Sequence, residues 1–272
     1  MKQKKLITFF LTFAMSLSMF AGCGNATATD SGNASSVSVT ETTDDQSTNQ
    51  IETAQIEDSQ TEDSNDSKTD EDQAAAEQLM VDLTGSYQEL WPVILDEKYE
   101  QTWVDDCKEL VGEENAQAAY EKLASMVSGT IYGEEAVAAY TDGNGVYDCS
   151  FTEGVSKLEF DGEDARIKGY DADGKELFSH TYHYIGMENV RGLYEFESDD
   201  ADSGEFTYFC IAPDTNDTTY HIELRYGSDI DALGKYDAGN YAYWLASGIS
   251  TEYDQTMIEN CINLFCTENL SE

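Results

Sequence analysis

The sequence predicts a mainly β domain with flanking α helices, an antiparallel meander able to close as a barrel, and three observations carry that expectation. From Val146 onward the apolar periodicity is two, in seven short runs at 147–151, 157–160, 166–170, 177–185, 193–197, 205–212 and 219–226. The dipeptides Asp161-Gly162 and Asp173-Gly174 fall between neighbouring runs and favour tight hairpin turns. No crossover helix interrupts the runs, which sets aside a doubly wound α/β sheet.

Taken in order, the chain begins with Lys2, Lys4 and Lys5, then an apolar run from Leu6 to Phe20, then Phe20-Ala-Gly-Cys23. This is the form of a bacterial secretory signal ending in a lipoprotein cleavage site. The run is shorter than the roughly 18 to 20 apolar residues that a membrane span needs. Residues 1–22 are therefore expected to be removed as a signal peptide. Cys23 is expected to be the lipidated first residue, anchoring an extracytoplasmic protein to the bacterial cell membrane.

Residues 23–73 are almost entirely Ser, Thr, Asn, Asp, Glu, Gln, Gly and Ala. Such a segment cannot bury enough apolar surface to offset chain entropy, so a disordered acidic tether is expected. The whole chain carries 14 Lys and Arg against 55 Asp and Glu, a formal charge of −41, and loss of the three signal lysines leaves 11 − 55 = −44. That balance argues against nucleic acid as a partner and against a direct electrostatic grip on an anionic membrane. Attachment then comes from the lipid alone.

Residues 74–272 are long enough for one domain with a substantial core, and they hold all three Trp and all 17 Tyr. Helical spacing is read at 74–80, at 97–111 with Tyr99, Trp103, Cys107 and Leu110, and at 115–127 with Ala119, Leu123 and Met126. After Asp229 the pattern returns to helix, at 230–236, 241–247 and 252–266. Beyond Cys23, the five cysteines are Cys107, Cys149, Cys210, Cys261 and Cys266. An odd number leaves at least one thiol unpaired unless chains cross-link, and the spacing assigns no pairing.

Several segments in order resemble the ZinT/YodA family of extracytoplasmic zinc-binding proteins. The segment Leu83-Thr-Gly-Ser-Tyr-Gln-Glu-Leu-Trp-Pro-Val-Ile-Leu95 is similar to that family's opening, Ile211-Ala-Pro213 to its metal hairpin, and His221-Ile222 to the end of its His-aromatic-His-Ile. The resemblance implies a lipocalin-like (calycin) antiparallel barrel and a divalent-metal site, zinc first, with a metal transporter as a further partner. Of three family histidines, only the last has a clear counterpart, His221. Thr219 stands two residues earlier. For the first, anchoring on Ile211-Ala-Pro213 gives Phe209, whereas counting back from His221 gives Cys210, because this hairpin is one residue longer. Both registers stay open at this point.

Strand alternation puts Thr219, His221, Glu223 and Arg225 on one face and Tyr220, Ile222, Leu224 and Tyr226 on the other. The resemblance directs the first set into the barrel. Zinc favours imidazole and thiolate, with carboxylate as an accepted further donor. The candidate set is therefore His221, Cys210 and Glu223, completed by His180 or His183, which lie three apart in one extended run so that at most one faces inward. The bland alternative is a barrel end closed by paired charges, or a diverged domain that binds a small polar ligand through Thr219, Glu223 and Arg225. A zinc site worth about 10 to 16 kcal/mol gives each of four ligands roughly 3 to 4. Losing two without replacement weakens binding by about four to six decades.

Other motifs carry less. Asp171-Ala-Asp-Gly-Lys-Glu176 echoes a calcium loop but lacks the ligand spacing and the closing Glu, so it is read as a hairpin turn. There is no Gly-rich phosphate loop and no nucleophile elbow. The expectation is a binding protein and not an enzyme.

Overall fold

The computed structural model describes residues 63–271 apart from Ser128 and Asn144, with side chains from residue 70 onward. The signal peptide 1–22, the lipidation site Cys23 and the tether as far as residue 62 lie outside the described residues. Helix α1 (Asp63–Asp82) begins within the segment read as tether and buries Ala76, Leu79 and Met80. It leads into strand β1 (Gly85–Glu89) and the short helix α2 (Trp91–Ile94). Next come α3 (Glu100–Val111), α4 (Ala116–Met126) and α5 (Glu134–Thr141).

The strands that follow are β2 (Lys157–Asp161), β3 (Arg166–Tyr170), β4 (Glu176–Met187), β5 (Tyr194–Ser198), β6 (Tyr208–Ile211) and β7 (Ile222–Gly227). Helix α6 (Ile230–Leu233), β8 (Ala246–Ser250) and helix α7 (Gln255–Leu270) complete the chain. Every strand pairs antiparallel with its sequence neighbour, and β8 returns to β1, so the sheet closes as an eight-stranded up-and-down barrel of lipocalin-like form.

Two segments differ from the sequence expectation. Residues 241–247, read as helix, instead lead into β8, whose Gly248 and Ala246 pair with Ile222 and Leu224 of β7. Small residues are poor strand formers in isolation, and pairing on both edges overrides that preference. The segment 147–151, read as a strand, makes only a single bridge, Asp148 to Trp244.

Cross-strand partners share a face, so the register identifies the lumen. Tyr87 opposes Leu158, Leu158 opposes Gly169, Gly169 opposes Phe178, and across the barrel Phe196 opposes Phe209, which opposes Tyr226. Aromatic rings fill this interior. Phe209 lies 5.1 Å from Tyr226 and 5.2 Å from Tyr182, and Phe178 stacks on Phe206 at 3.9 Å. Gly169 makes room for one of them, since a Cβ there would sit 2.1 Å from the Phe178 ring.

A second core lies outside the barrel, where α2, α3 and α7 pack together over Ile249 of β8. It gathers Leu90, Ile94, Trp103, Cys107, Ile249, Ile258, Cys261, Ile262 and Phe265. Trp103 Nε1 donates to the Ile94 carbonyl at 2.8 Å, which ties α3 to α2. Asp254 caps α7 by accepting from the Met257 amide at 2.9 Å.

Candidate functional site

The orientation of β7 decides where the predicted ligands fall. Ile222, Leu224 and Tyr226 occupy the luminal face, so Glu223 and Arg225 project outward, beneath the covering helices. This corrects the expectation of a polar interior. Ile222, Leu224 and Tyr226 cost less to bury in the lumen than His221, Glu223 and Arg225 would, and the register follows the apolar set.

Arg225 is fully buried beneath α6 and the segment after it. Its guanidinium donates to the carbonyls of Leu233, Lys235 and Tyr241 and lies 4.3 Å from the Tyr236 ring centroid. With these partners it holds the 229–243 segment on the barrel wall, whereas a ligand role was one sequence alternative. Cys210 opposes both Arg225 and Glu195, so it shares their outer face while Phe209 faces the lumen. Burial pushes its thiol up, which disfavours the thiolate that a metal would require.

The other two histidines sit at the opposite end of β6 from His221. His180 Nδ1 lies 2.8 Å from Asp200, and His183 Nδ1 lies 2.8 Å from Asp199, both in the loop before β6. His180 shares the face of Phe178 and Tyr182, whereas His183 points outward with 54 % of its side chain exposed. Neither is brought to His221.

His221 itself lies in the seam between the β6–β7 hairpin and α7, 4 % exposed. Its ring packs 5.3 Å from Phe265, and Cys261 Sγ is 4.0 Å from Nδ1. The chain reaches this position through Tyr220, whose φ of +67° breaks the strand ahead of Ile222. A carbonyl only accepts, so the 2.7 Å contact between Nδ1 and the Thr219 carbonyl places a proton on Nδ1. Nε2 is then directed at Glu223, with Oε1 at 3.8 Å. Thr219 contributes through its backbone, and its hydroxyl donates to the His221 carbonyl at 3.1 Å.

Two acids that sequence reasoning passed over share this seam. Burial and the charge of Glu223 push the Asp214 carboxyl up to about 7, partly offset by His221. Glu268 is raised by burial and by Glu223, again with His221 opposing. On the ring, burial opposes charge, and Cys261 and Glu223 more than offset it, so the imidazole is raised well above its usual value. The available signal was helical spacing: Cys261, Phe265 and Glu268 stand at i, i+4 and i+7 on one face of α7. Asp214 had none beyond following Pro213 in the hairpin.

The seam thus sets three carboxylates against one imidazole in a poorly hydrated place. Such a cluster takes up protons or a cation. Two ligands of a four-coordinate zinc with bonds of about 2.0 to 2.1 Å sit roughly 3.3 Å apart. His221 Nε2 and Glu223 Oε1 meet that by closing about half an ångström. Among the described residues, no group of three or more His, Cys, Asp or Glu side chains converges closely enough to hold a metal ion.

No protein-family profile matches the chain. No curated protein matches it either. Among solved structures, it is similar to the Zn(II)-bound ZinT-like domain of Streptococcus pneumoniae AdcA, at 17 % identity and a TM-score of 0.43, covering 66 % of this chain and 88 % of that domain. It is also similar to Zn(II)-bound AdcA from Streptococcus pneumoniae, at 16 % identity and a TM-score of 0.39, covering 68 % of this chain and 35 % of that one. The chain thus spans about a third of the full AdcA structure.

Proposed function

We propose that this chain is a diverged ZinT-like lipoprotein, anchored through Cys23 outside the cell, which binds a divalent metal ion, zinc first, for capture or delivery. The binding point is the seam, with His221 and Glu223 as the preset donors and Asp214 and Glu268 as the carboxylates that complete the shell. One observation carries this reading. The Thr219 carbonyl fixes a proton on His221 Nδ1 and turns Nε2 toward the Glu223 carboxylate, the arrangement that orients a metal-ligating histidine from behind, and a bound ion would displace the second proton that Cys261 and Glu223 favour on the ring. A divalent cation there would also neutralise the excess of acid. With two donors preset and two to be recruited, such a site loads and releases its ion, which suits transfer to or from a transporter. Binding, and not catalysis, is the role.

The test is the thermal midpoint of the purified protein with zinc, copper, nickel or manganese. At an ion concentration a hundredfold above Kd, stabilisation of about 2.7 kcal/mol raises the midpoint by roughly 5 to 10 °C. A chelator should reverse the shift, and His221→Ala should abolish it. A second reading is favoured by the lack of a third converged donor among the described residues. In it, the seam is a structural ion pair and the domain a surface module, and a midpoint indifferent to all four ions would leave that reading alone.

A further inference from the structure

The structure assigns a disulfide bond between Cys107 and Cys266, joining α3 to α7. Their Sγ atoms lie 3.7 Å apart, and both residues are fully buried where the two helices pack. Each of the other described cysteines sits elsewhere: Cys261 faces His221, Cys149 lies against Ser247 and Trp91, and Cys210 lies under Arg225. Closing to a bonded distance of about 2.05 Å moves the sulfurs by less than 2 Å, a shift on the scale of side-chain rotation.

The chemistry needs an external oxidant, and a small-molecule disulfide supplies it. The Cys107 thiolate attacks one sulfur of that disulfide and expels one thiolate. Cys266, after losing its proton, attacks the Cys107 sulfur of the mixed disulfide and expels the second. Two cysteine protons end on the two released thiols, so one external disulfide is reduced for each bond formed. Because both thiols are sealed in the packed state, exchange takes place while α7 docks during folding.

The bond would close a loop across 159 residues that includes strands β2 to β8 and leaves β1 outside it. It would also clamp the helix that carries Cys261, Phe265 and Glu268 over His221. Cross-linking distant residues stabilises chiefly by restricting the unfolded chain, so reduction should lower the thermal midpoint by roughly 5 to 15 °C. This inference is independent of metal binding, because its assay uses chelated protein.

The experiment is to refold the full chain in oxidised glutathione and EDTA, denature it, alkylate it with iodoacetamide, and map peptides by mass spectrometry without reduction. The expected result is one cross-linked pair containing Cys107 and Cys266, alkylated Cys149, Cys210 and Cys261, and a midpoint that falls with dithiothreitol. Cys107→Ser should leave Cys266 alkylated and the midpoint insensitive to dithiothreitol. Alkylation of both Cys107 and Cys266 in the wild-type chain, or a bond from either to another cysteine, overturns the assignment. If Cys107→Ser does not fold, the wild-type peptide map decides alone.

Discussion

Replacing Asp214 by Asn should stabilise the metal-free protein above neutral pH while weakening its response to zinc. Burial, then Glu223, raise the Asp214 carboxyl from 3.8 to about 7. Between those values the native state holds a proton that the unfolded chain has lost, so stability falls as pH rises across that window. About three pH units at 1.36 kcal/mol each give about 4 kcal/mol, and residual water contact at this partly exposed residue reduces that to about 2. Asn cannot ionise, so the variant should match the wild type near pH 4 and exceed it by about 2 kcal/mol at pH 8. The histidine behaves in the same direction in both proteins: its stabilisation is complete below its usual pKa of 6.5 and is lost as pH rises through the higher native value. Urea unfolding from pH 4 to 8 in the presence of a chelator measures the difference. Parallel pH profiles, or a variant weaker at every pH, would refute the claim that Asp214 is an ionisable group held against its preference in the seam.

Three further outcomes follow from the same geometry. Arg225→Met leaves the carbonyls of Leu233, Lys235 and Tyr241 without their donor, and should cost about 3 to 5 kcal/mol in urea unfolding with early hydrogen exchange across 229–243. Gly162→Ala should cost about 1 to 3 kcal/mol and loosen α1, because the added Cβ would stand 2.3 Å from the Met80 carbonyl oxygen and 2.4 Å from Val81 Cα; protease sensitivity of α1 reports it. Phe209→Ala should cost about 3 to 5 kcal/mol through a cavity among Tyr182, Phe178 and Tyr226, and should leave the zinc response intact, since Phe209 faces the lumen and not the seam.

The parts of the fold that sequence made legible were those whose local pattern agrees with their pairing. Strands β2 and β3 alternate cleanly, Asp-Gly turns join them to each other and to β4, and α3 and α4 carry apolar residues at helical spacing. The two strands that close the barrel were not legible as such. Gly85–Glu89 and Ala246–Ser250 are built of small and polar residues, and only their long-range partners make them strands. His221 and Glu223 were named from sequence and are brought together. Cys210, His180 and His183 were named by donor chemistry, but β-sheet register carries them to other faces or to the far end of β6. Asp214 and Glu268 escaped notice because their relation to His221 exists only once α7 lies across the hairpin.

The direction of β7 also bears on where the proposed cation would sit. In the lumen Phe209 contacts the rings of Tyr182 and Tyr226, and admitting a cation between them would require displacing aromatic contacts worth about 0.5 to 1.5 kcal/mol apiece beyond their burial. The seam asks less. Its groups are already polar and already short of positive charge, and α7 lies across it through Cys261 and Phe265. On the proposed metal reading, an ion would reach His221 by movement of α7 or of the Thr215–Tyr220 turn, and not through the barrel mouth. It follows that locking α7 through Cys107 and Cys266 should slow zinc exchange without changing which residues hold the ion. Stopped-flow chelation of oxidised and reduced protein measures that difference, and equal release rates in the two states would show that the turn alone is the gate.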